Sequence, residues 1–231
     1  MKKVMISFAG KEDEAMQERL VESAITRFDE CLLYEPEDLD KNFRKEHQQI
    51  LACTKGYGYG IWKPYIILKT MEELKESDFC FYLDSNCVFT SDPAILFDLC
   101  TESDGILLFS NKVRLLSTWT KMDCFVQMGL TGRKYANAPL LKSAFQLYRK
   151  NKRSMQFVRE YMDYCSDYQL ISDAPNLLGE NCPGFREHRH DKSILSLLAA
   201  KHSLPIYRDP SQWGNHLQDR FGQIIVQRRE N

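Results

Sequence analysis

The sequence predicts an α/β fold: a single domain built on a Rossmann-like, mostly parallel central sheet flanked by helices. Three observations predict it. The chain opens strand, helix, strand over residues 3–34, the β-α-β unit of a parallel sheet. A five-residue apolar run, Phe79 to Leu83, has the length and continuity of a strand buried on both faces. That run ends at Asp84-Ser85-Asn86, and polar groups at the carboxyl end of a central strand lie where open α/β sheets bind ligands.

Composition agrees. The 231 residues are 43% hydrophobic and 27% charged, ordinary values for a globular chain with a full core. With 31 Lys+Arg against 32 Asp+Glu the net charge is −1, which argues against nucleic acid or an anionic membrane as the main partner. Eight cysteines include no C-x-x-C pair, so a zinc knuckle or thioredoxin motif is not expected, and the usage fits a reducing cytoplasm. The apolar run that follows Met1-Lys2-Lys3 ends at Phe8, too short for a signal segment or membrane span.

Taken in order, residues 3–8 form the first strand and residues 11–28 an amphipathic helix with Met16, Leu20, Ile25 and Phe28 on its apolar positions. Residues 31–34 form a second strand and residues 40–52 a second helix. Gly56, Gly58 and Gly60 alternate with tyrosines and allow a tight backbone path before a helix that restarts near Pro64 and runs to about Lys75. After the 79–83 strand, Asp92 is placed to cap a further helix. Residues 104–109 form a fourth strand; helices are expected over 119–128, 139–149, 153–168 and 191–202, and residues 170–182 are irregular. In the 153–168 helix Met155, Val158, Met162 and Cys165 share one face. Two small strands, 206–207 and 223–226, close the chain. No repeat, linker or charge block divides it, so residues 1–231 count as one domain.

Asp84 and Asn86 are two apart, so in extended chain they point to one side and could share a hard cation bound to a diphosphate. Read more plainly, the triplet is a polar loop after a buried strand. Lys63, at a helix start, could meet a phosphate; the aromatic Gly56–Lys63 segment could equally be a packing loop. His188-Arg189-His190-Asp191 is dense in proton-transferring and metal-binding groups, although Asp191 also fits the N-cap of the helix that follows, and a zinc shared by the two histidines has no third strong ligand nearby. Arg133-Lys134, Lys150 to Arg153 and Arg228-Arg229 are short, scattered basic clusters that read as solvated. G-x-S-x-G, Walker A and H-E-x-x-H motifs are absent.

Together, Gly56-Tyr57-Gly58-Tyr59, Ile61-Trp62-Lys63-Pro64-Tyr65, Tyr82-Leu83-Asp84-Ser85-Asn86, Trp119-Thr120-Lys121-Met122-Asp123 and His188-Arg189-His190-Asp191 resemble a group of small GT-A glycosyltransferases. These occur in bacterial surface-glycan gene sets and in large algal DNA viruses that glycosylate their capsids. The resemblance runs from Lys3 to about Trp213. It implies a nucleoside-diphosphate sugar, most simply a UDP-sugar, as donor and a glycan or glycoprotein as acceptor. It implies that Ser7, Phe8 and Ala9 cradle the nucleotide with Lys63, Ser85 and His190 beside it, and that Asp84, Asn86 and a late histidine, His216, hold Mn²⁺ or Mg²⁺. Asp191 and Asp173 are then the carboxylates to consider as general base or sugar-binding groups. Two departures stand out: Asn86 replaces the second Asp of the D-x-D pattern, and Gly60 stands where the group usually has Trp, which opens the pocket there. A nucleotidyltransferase, for which Ser7-Phe8-Ala9-Gly10-Lys11 is at best a fragment of a phosphate loop, and a non-catalytic nucleotide- or glycan-binding domain are the competing readings.

Overall fold

The computed structural model describes residues 1–228; Arg229 of the expected Arg228-Arg229 cluster lies outside the described residues. The strands are β1 (Lys3–Phe8), β2 (Glu30–Tyr34), β3 (Phe79–Leu83), β4 (Cys87–Phe89), β5 (Ile106–Ser110), β6 (Lys142–Arg149), β7 (Ile206–Arg208) and β8 (Ile225–Gln227). Six of them form one sheet in the order β2-β1-β3-β6-β5-β7, and β4 pairs with β8 in a separate antiparallel ribbon. The pairs β1–β2, β1–β3 and β5–β7 are parallel, whereas β6 runs antiparallel to both β3 and β5.

Strand alternation distributes the core over both faces. Val4, Ile6, Phe8, Cys80, Tyr82, Leu108 and Tyr148 pack on one side, under the helices Trp62–Glu73, Lys152–Ser166 and Asp191–Lys201. Met5, Phe79, Phe81, Leu83, Phe109, Phe145 and Leu147 pack on the other, beneath Glu14–Ala24 and Ala94–Glu102. Strands covered on both faces read as continuous apolar runs, which is how 79–83 announces itself.

The expected helix over 139–149 is a strand instead. Leu140, Leu141, Ala144, Phe145 and Tyr148 fall at helix-like spacing, but a strand buried on both faces carries apolar residues continuously, and periodicity does not separate the two. β6 also buries a polar residue: Gln146 Nε2 donates to Ser143 O at 3.1 Å and its Oε1 accepts from Tyr148 OH at 2.7 Å. Other expected helices are interrupted. Residues 119–128 break at Thr120-Lys121 into Leu116–Trp119 and Met122–Gln127, and residues 40–52 break at His47. The first helix ends at Ala24, leaving Ile25 exposed. Asp92 sits one residue before the N-cap, which is Pro93, and its carboxylate accepts from Ala94 N at 2.9 Å. Asp191 does not cap its helix: His190 holds the N-cap position and Asp191 is the first helical residue, its carboxylate free to face away from the backbone.

Candidate active site

Two stretches of strained backbone build the site. The first is Gly56–Gly60, five successive residues with positive φ between 51° and 83°. Tyr59 N donates to Lys55 O at 2.8 Å and Gly60 N to Gly56 O at 3.0 Å, so the segment is one turn of left-handed helix. Each L-residue held there costs roughly 1–2 kcal/mol, and alternating glycines limit that cost to Tyr57 and Tyr59. The second is His190, with φ 51° and ψ −125° immediately before the 191–201 helix. Strain of this kind persists where surroundings over-determine it, commonly at binding sites.

The two stretches face each other. The Tyr59 and His190 rings lie 4.7 Å apart. A Cβ on Gly60 would come within 3.0 Å of Asp191 Cγ, so the glycine makes room for that carboxylate. Gly60 thus opens space that Asp191 fills. The chain reversal between them and the carboxyl ends of β1 and β3 enclose a cavity of about 480 Å³.

Part of the cavity wall is aromatic. Phe8 stacks on Trp62 with ring centroids 3.9 Å apart, and Tyr57 meets Phe8 edge-on at 5.9 Å. Trp62 Nε1 donates to Gly56 O at 3.0 Å, and Tyr57 OH donates to Glu12 at 2.7 Å, which fixes both rings. Next to the rings the wall is ionic, with the Lys63 ammonium 5.4 Å from the centre of the Trp62 ring. The Lys63 ammonium, almost wholly buried, lies 3.1 Å from Asp84 Oδ1 and 3.7 Å from Asp191 Oδ2, and donates to Ser143 O at 3.2 Å. Burial alone would lower the Lys63 pKa, but the Asp84 and Asp191 charges outweigh it and hold the group above the ordinary lysine value. Tyr82 OH donates to the same Asp84 Oδ1, and Tyr161 OH donates to Asp191 Oδ2 at 3.2 Å. Burial first, then the neighbouring carboxylate, keeps both phenols protonated.

Behind this wall Asp173 receives the Lys55 ammonium at 2.9 Å and His190 Nε2 at 2.8 Å. Burial lowers the His190 pKa despite Asp173, so the ring is neutral near pH 7 with its proton on Nε2, facing the carboxylate. Nδ1 is left as the acceptor. His188 belongs to the scaffold: Nε2 bonds Leu170 O at 2.8 Å and Nδ1 accepts from Lys121 N at 3.4 Å. With both nitrogens engaged by backbone it is not available to share a zinc with His190.

Phe8, Ala9, Lys63, Asp84, Ser85, Asn86, His190 and Asp191 all line this cavity, while Asp173 touches it through His190. Ser7 does not line it and lies fully buried within β1. His216 is also elsewhere, its Nε2 bonded to Asn111 O at 3.1 Å. Among the described residues no three His, Cys, Asp or Glu side chains gather as a metal cage. Asp84 and Asn86 both line the cavity; Lys63 and Tyr82 take Asp84 Oδ1, and Gln227 Nε2 donates to Asn86 Oδ1 at 3.5 Å, so Asp84 Oδ2 is the stronger donor and Asn86 the weaker in a set that a hard cation would complete with diphosphate oxygens and water. Sequence reasoning missed Tyr82, Tyr161 and Lys55. Tyr82 was detectable, since it sits two residues before Asp84 on one face of the strand; Tyr161 and Lys55 reach the site only through tertiary packing.

No protein-family model and no curated protein matches the chain. Solved structures do match. Mouse xyloside xylosyltransferase 1 in its apo form superposes with a TM-score of 0.54 at 9% identity, over 98% of this chain and 97% of that one. The apo WbbM bifunctional glycosyltransferase gives 0.51 at 10% identity, over 90% of this chain and 39% of that one. A glycosyltransferase involved in glycosylation of the major capsid of PBCV-1 gives 0.42 at 11% identity, over 71% and 66%. With the mixed β2-β1-β3-β6-β5-β7 sheet, the first two likenesses show that this chain has a GT-A-like α/β fold.

Proposed function

We propose that residues 1–231 form one glycosyltransferase domain that moves a sugar from a nucleoside-diphosphate sugar, a UDP-sugar, to a hydroxyl of a glycan or glycoprotein. One observation supports this above the others: a single cavity is lined by aromatic rings and, directly beside them, by a buried lysine between two carboxylates. Aromatic surface next to a cation suits a ligand that joins a base to a diphosphate-sugar.

When the sugar departs, charge develops on the β-phosphate. The Lys63 ammonium, held in a water-poor wall, is the chain's own group for meeting that charge. Asp84 Oδ2 and Asn86 would hold Mn²⁺ or Mg²⁺ on the diphosphate, and the ion would supply further charge neutralisation there. His216 has no part in this arrangement. Asp191, anchored by Tyr161 and Lys63 against Gly60, accepts a hydroxyl of the sugar or, in an inverting course, the acceptor proton. Asp173 orients His190, whose Nδ1 accepts a second hydroxyl. No described helix is long and apolar enough to cross a membrane. We place the activity in the cytoplasm, where all eight cysteines would remain the free thiols seen here.

Calorimetric titration with UDP and GDP, each with and without Mn²⁺, tests the reading. UDP should bind, Mn²⁺ should tighten it, and Asp84→Ala should lose the metal-dependent part. If neither nucleotide binds in the presence of metal, the donor reading is wrong. Binding without hydrolysis or transfer of any UDP-sugar would instead favour a non-catalytic domain.

A further inference from the structure

A second cavity, of about 250 Å³, is lined by Arg114, Lys142, Lys192, Asn111 and Trp213. Asp191 lines the first cavity and its neighbour Lys192 lines the second, so adjacent residues at the start of one helix border both. Three cations line the second space. Its acidic counterpart is the fully buried Asp209, 3.3 Å from Lys142.

The basic character continues outward. The guanidinium groups of Arg114, Arg189 and Arg186 lie 4.6, 4.8 and 5.9 Å from the centre of one ring, that of Trp119. One carboxylate, Glu187, pairs with Arg189. Against these five cations stand Asp209 and Glu187 in direct ion pairs, with Asp191 and Asp84 acting on Lys192 through space, on a chain whose net charge is −1. Like charges gathered this closely repel one another, and an anion settling among them relieves the repulsion. Burial, aided by repulsion from Lys142 and Lys63, pushes the Lys192 ammonium down to about 8 against the pull of Asp191 and Asp84.

We propose that this basic cavity is the acceptor subsite and that it takes a saccharide bearing an acid group, a carboxylate or a phosphate ester. The acceptor role rests on the donor reading of the first cavity; the preference for acid rests on the cations alone. Arg114 supplies a planar fork suited to either acid, and Trp213 supplies an aromatic surface against which a pyranose ring can lie.

The test uses the full chain saturated with UDP and three probes: methyl β-D-glucuronide, glucose 6-phosphate and neutral methyl β-D-glucoside. At low salt at least one acid should bind about tenfold tighter than the neutral glycoside, a difference of about 1.4 kcal/mol that shrinks as salt rises. Whichever acid binds tighter identifies the group. The double variant Arg114→Ala, Arg186→Ala removes two exposed side chains. It should abolish the preference while leaving UDP affinity unchanged, and Lys192→Gln should weaken acid binding similarly. Lys142 is left intact because its loss would strand Asp209. Equal binding of acidic and neutral probes, or a preference that survives the double variant, overturns the acid specificity even with UDP bound. Failure of UDP itself to bind overturns the acceptor assignment together with the donor reading.

Discussion

The Lys63 ammonium sits 3.1 Å from Asp84 Oδ1, with the lysine buried and the carboxylate partly open to the cavity. The pair joins the helix at 62–73 to the end of β3, and Asp191 extends it to the helix at 191–201. Replacing Lys63 by Met removes the countercharge for both acids. Breaking a buried ion pair from one side costs about 3 kcal/mol, and loss of a donor aimed at developing charge costs about a hundredfold in rate. Lys63→Met should therefore lower both the urea midpoint and kcat, whereas Lys63→Arg should recover stability better than turnover. Unchanged kcat in a folded Lys63→Met protein would remove Lys63 from the mechanism.

Gly60 tests the left-handed turn. An added methyl would meet the Asp191 carboxyl carbon at 3.0 Å and would have to adopt φ +83°. Gly60→Ala should cost about 1–2 kcal/mol from backbone strain alone, and should move Asp191 off Lys63 and Tyr161. Thermal unfolding measures the first effect. A fall in transfer rate with little change in UDP affinity would report the second.

Much of this was legible in the sequence because the physics was local. Phe79–Leu83 announces a doubly buried strand, and Asp84 must then lie at its end. Alternating glycines at 56, 58 and 60 announce an unusual backbone path, although not its left-handed sense. What was illegible depends on long-range pairing. β6 sits at the centre of the sheet, and its apolar spacing alone could not tell strand from helix. The basic groups of the second cavity come from positions 114, 142 and 192, with 186 and 189 joining Arg114 around Trp119, while the clusters contiguous in sequence are elsewhere. His216 showed the reverse: a plausible ligand type that the fold carries to Asn111.

Asp123 explains why the Trp119–Asp123 segment matters without entering the cavity. Its carboxylate, fully buried, accepts from Leu177 N at 3.0 Å, Leu178 N at 2.9 Å and Gln169 Nε2 at 2.6 Å. Lys121 binds the carbonyls of Gln169 at 2.8 Å and Ala174 at 2.6 Å. Together they pin the loop that carries Asp173. Burial would raise the Asp123 pKa, but the amide donors outweigh it and hold it below the ordinary value. Its contribution is thus present above the unfolded pKa near 3.8 and lost as pH falls through the lower folded value. Asp123→Ala should cost about 2–3 kcal/mol by stranding those donors. By loosening Asp173 it should also release the orientation of His190 and reduce turnover; retained turnover at full occupancy would show that the loop does not act through Asp173.

The acid limb of stability should be set in part by His188. Burial is the main cause of its pKa falling to about 3 from the ordinary 6.5, with the adjacent His190 adding to it. The folded protein therefore keeps the ring neutral where the unfolded chain protonates it. Below about pH 6.5 the unfolded state binds the extra proton, so stability falls as pH falls, by about 1.4 kcal/mol per unit, until the folded ring also titrates. Between about pH 7.5 and about pH 5 this amounts to about 2 kcal/mol. His188→Gln keeps polar atoms near Leu170 O and Lys121 N but cannot titrate. It should be less stable than the parent near neutral pH and lose less on acidification, so the two stability curves converge towards about pH 5. Parallel curves from urea unfolding would show that His188 is not the neutral, buried group its contacts describe.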